Sequence, residues 1–236
     1  MSNQTVQRYD FAQRIYHWVN LGALLALLWT GLTIYDLKIL EIRPFSSFAT
    51  ILIGDVYTPL MQNIHNTAAF VLLGSLIIHI IYDVGIKGIF WSELPSKGDL
   101  RAQNILAKNF LGVSKEYVKF PKYNIGQKML HIGFAVVIVL IGATGFMMSA
   151  NYRFLVPIWW LNIDFDFLFY WVRITHDILT FVLITMVTMH FYFGTRKENW
   201  PTFKSMITGK VPKDYQEKHF SSSEEPEIIP APKEEG

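Results

Sequence analysis

Four stretches of this sequence are apolar for so long, and carry so few charges, that water is the wrong solvent for them: Leu21 to Ile34, Ala68 to Ile81, Met129 to Met148 and Trp171 to Phe193. About 20 such residues in an α-helix cross roughly 30 Å of hydrocarbon. A helix also satisfies its own backbone there, which an open strand or loop in lipid does not. The first two strict apolar cores are shorter and reach that length once their aromatic and histidine-bearing ends are counted. The sequence therefore predicts an all-α membrane protein, a four-transmembrane-helix up-and-down bundle with spans at about 14–35, 63–84, 126–149 and 170–194. Trp18, Trp29, Tyr35, Tyr82, Trp159 and Trp160, among other aromatics, stand where interfacial belts place such rings.

Lysine and arginine are divided unevenly along the chain. Of 21, 17 fall before the first span (Arg8, Arg14), in the middle loop and its flanks (eight from Lys87 to Lys128), or from Arg196 onward. The remaining four are Lys38, Arg43, Arg153 and Arg173. The positive-inside rule puts both termini and the loop at about 85–125 in the cytoplasm, in a multi-pass protein of the inner (cytoplasmic) membrane. A net charge of +2 gives no reason to expect nucleic acid, because topology accounts for the basic loops. The polar start MSNQTVQRYD leads into the first span without a small-residue cleavage site, so that span is expected to be retained. The chain has no cysteine, which excludes disulfides, cysteine-held iron–sulfur clusters and covalent haem attachment through C-x-x-C-H. Beyond a membrane domain at 1–220, the tail at 221–236, SSSEEPEIIPAPKEEG, is polar, acidic and proline-containing and is expected to be disordered.

Imidazole inside lipid is costly and normally functional. His65 and His79 share the second apolar stretch, and His176 and His190 the fourth, each pair fourteen positions apart. Fourteen residues are nearly four helical turns, so each pair shares a face about 21 Å apart along the axis, one histidine per leaflet. With the N-terminus inside, His65 and His176 begin their spans on the outer side. His17, His79, His131 and His190 lie at inner depth, and His219 is in the tail. Two b-type haems stacked across the bilayer, each held by imidazoles from two helices, suit this layout. The outer haem then has one possible ligand pair, His65 and His176. For the inner haem His190 has three candidate partners, His17, His79 and His131, of which periodicity favours His79. A hydrogen bond to a neighbouring helix is the competing role for a lone histidine, and it applies most to His79 and His131.

The segments RIYHWVN, IHNTAAFVLL, KYNIGQKMLHIGFAVVIVLIGATGFMM, ITHDILTFVLITMVTMHFYFGT and SMITGKVPKDYQEKH, in this order from about Gln13 to His219, carry a family likeness. They resemble the cytochrome b (gamma) subunit of membrane-bound formate dehydrogenases and the related thiosulfate reductase cytochromes. The resemblance implies that the histidine of the R-x-x-H-W motif, His17, pairs with His190 at the inner haem, leaving His65 and His176 at the outer one. His79 and His131 depart from the pattern, since apolar residues are expected there in relatives. The resemblance also implies a quinone site beside the inner haem, at the Y-N-x-G-Q-K motif: Asn124, Gly126, Gln127 and Lys128. Menaquinone or ubiquinone is the expected substrate. A quinone carbonyl needs a donor such as an amide NH₂, and His131, two helical turns beyond Asn124, is a candidate proton carrier or second donor. Without the family, Asn124 reads as a helix N-cap.

Arg14 and Arg173 are candidates for pairing haem propionates, or equally for anchoring to lipid phosphate. Gly22, Gly31, Gly74, Gly142 and Gly145 admit either a macrocycle or close helix contacts. The expected partners are an iron–sulfur electron-transfer subunit and a catalytic molybdenum/tungsten or nickel–iron subunit at the outer face. The neighbouring reading is the cytochrome b of a nickel–iron hydrogenase, which shares the arginine-histidine-tryptophan start and the paired histidines of the last span. A haem-free proton transporter or anchor is the reading from another class. It predicts internal repeats or broken helices, and the first and third spans do not repeat each other convincingly in sequence.

Overall fold

The computed structural model describes residues 4–34, 57–88, 94–149, 165–223 and 225–230. Tyr35, Trp159 and Trp160 of the expected belts, Lys38, Arg43 and Arg153 of the sparse outer charges, and residues 231–236 of the tail lie outside the described residues.

The described elements are β1 (Thr5–Gln7), α1 (Phe11–Ile34), α2 (Tyr57–His79), a π-helical continuation (Ile80–Ile86), α3 (Lys97–Phe110), β2 (Tyr117–Lys119), α4 (Ile125–Met148), α5 (Phe165–Thr195), α6 (Trp200–Thr208), β3 (Lys210–Pro212), α7 (Lys213–His219) and β4 (Glu227–Ile229). Four of the helical segments are long and apolar enough to cross a bilayer: Phe11–Ile34, Pro59–Ile86, Ile125–Met148 and Phe167–Thr195. These coincide with the four expected spans to within a few residues. Large apolar side chains such as Leu25, Ile78, Val139 and Phe181 are more than half exposed on them. Apolar surface on that scale is stable against lipid, not water.

The chain divides into two compact units. One comprises Phe11–Ile86 and Ile138–Thr180, and so holds α1, α2, the C-terminal half of α4 and the N-terminal half of α5. Within it α1 and α2 pack along their lengths, with Ala23, Met61, Ala68 and Leu72 buried. Small residues such as Ala23 and Ala68 let the two backbones approach, which is how helices gain packing where lipid supplies no hydrophobic drive. Thr30, Thr33, Ser75 and Asp83 are buried in the same unit.

The other unit comprises Met1–Asp10, Lys87–Val137 and Phe181–Gly236. It gathers the N-terminal segment, the middle loop and the C-terminal segment into one body. β1 pairs antiparallel with β3, Val6 opposite Val211, and the amides of Arg8 and Tyr9 donate to the Gly209 carbonyl. Gly209 ends α6 in the left-handed region, φ 81°, which costs glycine nothing. α3 begins with a capping box in which Ser96 accepts from the Asp99 amide and Asp99 accepts from the Ser96 amide. Its inward face, Ala102 and Ile105, packs with Val118 of β2, and Phe120 and Ile228 close over them.

Ile228 explains a correction to the tail. Of the segment expected to be disordered, Glu227–Ile229 forms β4, paired antiparallel with β2 so that Ile228 stands opposite Val118. Two adjacent isoleucines in an acidic stretch supply an apolar contact that average composition conceals.

Candidate functional site

His65 and His176 are each held by the helix that precedes their own. Thr30 of α1 places its Oγ1 2.6 Å from the Ala26 carbonyl and 2.9 Å from Nδ1 of His65 on α2. Thr144 of α4 places its Oγ1 2.9 Å from the Leu140 carbonyl and 2.9 Å from Nδ1 of His176 on α5. Each hydroxyl has one hydrogen, and the carbonyl four residues earlier takes it. The opposite sense would press two lone pairs together at 2.6 Å in the case of Thr30. The threonine oxygen therefore accepts from Nδ1–H, and the Leu27 and Ile141 carbonyls face the same two rings as further acceptors. A neutral imidazole protonated at Nδ1 keeps the lone pair of Nε2, the form that binds a metal.

The two rings also belong together. The His65 and His176 imidazoles are close enough to interact electrostatically. Glycine follows each threonine, and a Cβ there would stand 3.4 Å from Cε1 of His65 (at Gly31) or of His176 (at Gly145), so each ring lies against a neighbouring backbone. Gly142 meets Leu73, while Gly22 and Gly74 have nothing within 4 Å among the described residues. Two imidazoles from different helices, each engaged at Nδ1, are the donor type that would hold a b-type haem.

Near His79 the structure reveals a group that sequence reasoning missed. Asp83, on the π-helical segment, is buried, and its Oδ1 accepts from Gln13 Nε2 at 3.2 Å. Its Oδ2 accepts a short hydrogen bond from the Tyr16 hydroxyl and lies 2.8 Å from His79 Nδ1. The Tyr16 and His79 rings meet edge-on at 4.5 Å. π-Helical turns inside longer helices often mark functional positions, and a carboxylate four residues beyond an intramembrane histidine was the available signal. His17 meets the Trp18 ring, His190 the Phe134 ring and His131 the Tyr123 ring. His17, His65, His79 and His176 belong to one compact unit, and His131 and His190 to the other.

The Y-N-x-G-Q-K motif forms the start of α4. Asn124 Oδ1 accepts from the Gln127 amide at 2.9 Å, and Gln127 Oε1 accepts from the Asn124 amide at 3.0 Å, a reciprocal cap. A Cβ at Gly126 would stand 3.3 Å from Asn124 Oδ1, so glycine lets the cap close. Each capping side chain still has an NH₂ group to offer. Lys128 is committed elsewhere: its ammonium, buried, donates to Asp99 Oδ2 at 2.7 Å and to the Leu94 carbonyl at 3.3 Å. Burial pushes the Asp99 carboxyl up, but Lys128 and the Ser96 amide outweigh it and hold the group below the usual carboxylate range. Arg14 lies 5.7 Å from the Phe11 ring centroid, and Arg173 interacts with the Asp177 carboxylate one turn along α5.

The family model for prokaryotic cytochrome b561 matches residues 8–209, which include all four apolar helices and every histidine discussed except His219. No curated protein sequence matches the chain at a significant level. Four membrane-length helices, two of them carrying paired histidines, agree with that match: the chain belongs to the prokaryotic cytochrome b561 family, membrane b-type cytochromes whose haem b serves electron transfer.

Proposed function

We propose that this chain is the di-haem b membrane subunit of a respiratory oxidoreductase, of the formate dehydrogenase or thiosulfate reductase kind. His65 and His176 hold the outer haem. His17 and His190 hold the inner one, an assignment drawn from the family resemblance, with His79 as the alternative partner of His190. Haem b supplies a one-electron couple at each level, linking an iron–sulfur partner at the outer face to menaquinone or ubiquinone at the cytoplasmic side. The partner complex ends in a molybdenum/tungsten catalytic subunit; family membership accommodates a nickel–iron hydrogenase equally well.

The chain's own residues bind and orient. Thr30 and Thr144 keep the outer imidazoles in the Nε2-binding tautomer, and the apolar spans exclude water from between them. Asn124 and Gln127 turn NH₂ groups to the quinone carbonyl, Gly126 allows that turn, Lys128 anchors its C-terminal end, and His131 serves as a further donor.

The observation that carries this reading is the matched pair of threonine-bound histidines. A pyridine haemochrome assay on the purified chain tests it. Two haems b are expected, falling to one in His65→Ala and in His176→Ala. His17→Ala should also lose one, while His79→Ala retains both. A colourless protein after adequate haem supply would leave the transporter reading ahead. Metal analysis of the complex that co-purifies separates molybdenum or tungsten from nickel.

A further inference from the structure

The outer site is the same small device built twice. In α1 the dipeptide Thr30-Gly31 meets His65, and in α4 the dipeptide Thr144-Gly145 meets His176. Threonine Oγ1 to Nδ1 is 2.9 Å in both, the would-be glycine Cβ is 3.4 Å from Cε1 in both, and each hydroxyl is tied to the carbonyl four residues earlier. Three contacts recurring on unrelated loops and spans imply that the two helical hairpins place their parts equivalently.

We propose that Thr30 and Thr144 are positioning residues for the two axial imidazoles, and that α1–α2 and α4–α5 act as equivalent halves presenting one ligand each. This rests on the outer-haem reading above. Threonine is stiff about χ1, and its hydroxyl hydrogen is committed to the helix backbone, so the lone pair aimed at Nδ1–H has a fixed direction. Accepting that proton gives the imidazole partial imidazolate character, raises its basicity as a ligand and favours the ferric state. Glycine leaves the ring beside the backbone, where a Cβ would stand at van der Waals contact, 3.4 Å from Cε1.

The test is a redox titration of the purified full chain, with haem content and low-temperature electron paramagnetic resonance of the ferric protein measured alongside. In Thr30→Val and Thr144→Val the isosteric side chain keeps the packing and removes the hydroxyl acceptor, leaving each ring only the Leu27 or Ile141 carbonyl. Each variant should retain two haems and shift one of them towards the ferrous state by about threefold, a rise of roughly 28 mV for one electron. The two shifts should be alike and should add in the double variant. Thr30→Ser and Thr144→Ser, which keep the hydroxyl acceptor, should restore both potential and spectrum. Loss of the haem in a Val variant but not in its Ser counterpart also counts for the proposal. Potentials and g-values unchanged by Val, or Val and Ser variants that behave alike, overturn it. A shift in only one of the two overturns the equivalence of the hairpins. The outer-haem reading fails separately, if His65→Ala and His176→Ala keep both haems.

Discussion

Replacing Lys128 with methionine removes the ammonium that faces the fully buried Asp99 carboxylate. Asp99 Oδ2 accepts from Lys128 Nζ at 2.7 Å and from the Ser96 amide at 2.9 Å, and Asp99 Oδ1 has no hydrogen-bond partner among the described residues. In Lys128→Met only Ser96, through its amide and its side chain, remains among the described residues to support the charge. Breaking one side of a buried pair in this way costs about 3–5 kcal/mol, because the surviving charge has lost its solvent and its partner together. The loss should fall on α3 and its packing against β2 and β4. Amide hydrogen exchange across residues 97–110, measured on the full chain in detergent, reads that local opening. At about 1.4 kcal/mol per decade, exchange should accelerate roughly 100- to 4,000-fold. The sign with pH follows from Asp99. Its carboxyl is held below its unfolded value of about 3.9, so the stabilisation is complete above that pH and is lost as pH falls through the folded value. The gap between variant and parent should therefore close in acid. Asp99→Leu combined with Lys128→Met should recover most of the loss, since apolar side chains often replace a buried pair without net cost. Exchange in Lys128→Met within about threefold of the parent, or a double variant no better than the single, would refute the reasoning. Recovery of quinone-dependent turnover in the double variant would further assign Lys128 to anchoring α4 and not to the headgroup.

Asn124→Ser keeps an oxygen to accept from the Gln127 amide but removes the NH₂ group, so the start of α4 should survive while quinone-dependent turnover falls; an unchanged rate would argue against the headgroup site. Asn124→Ala should in addition cost about 1 kcal/mol through the lost cap. Asp83→Leu removes the carboxylate that accepts from the Gln13 amide and the Tyr16 hydroxyl, at about 1–3 kcal/mol for a buried hydrogen bond lost, visible as a lower denaturation midpoint. A midpoint equal to the parent's would show that the cluster does not hold α1 to α2. Burial and the Lys218 charge lower the His219 imidazole below its ordinary range. The folded state therefore binds fewer protons than the unfolded, and stability should decline as pH falls below about 6.5. His219→Asn should flatten that slope in a denaturation series, and an identical slope would exclude His219 as its source.

The spans were readable because hydrocarbon asks one simple question of each segment, its length and polarity. The expected 63–84 and the observed Pro59–Ile86 differ only at amphipathic ends, where lipid and interface exert similar demands. The matched depth of His65 and His176 was readable for a related reason, since helical rise converts sequence separation directly into distance. Thr30 and Thr144 escaped notice because a threonine in an apolar span is unremarkable until the rotation of its helix is known. Asp83 escaped because its partners Gln13 and Tyr16 come from α1, 67 or more positions away. The likeness between the α1–α2 and α4–α5 hairpins escaped because it resides in contacts, with only a Thr-Gly dipeptide in common between α1 and α4 at that point.

Linear order thus dictates which segments enter the bilayer, how deep each imidazole lies and which side collects the basic residues, because these depend on local polarity and a fixed rise per residue. Packing alone selects which nitrogen of His65 and of His176 meets a threonine, commits Lys128 to Asp99, and draws Ile228 out of an acidic tail onto β2. Those outcomes turn on helix rotation and on long-range neighbours, quantities that no stretch of sequence contains.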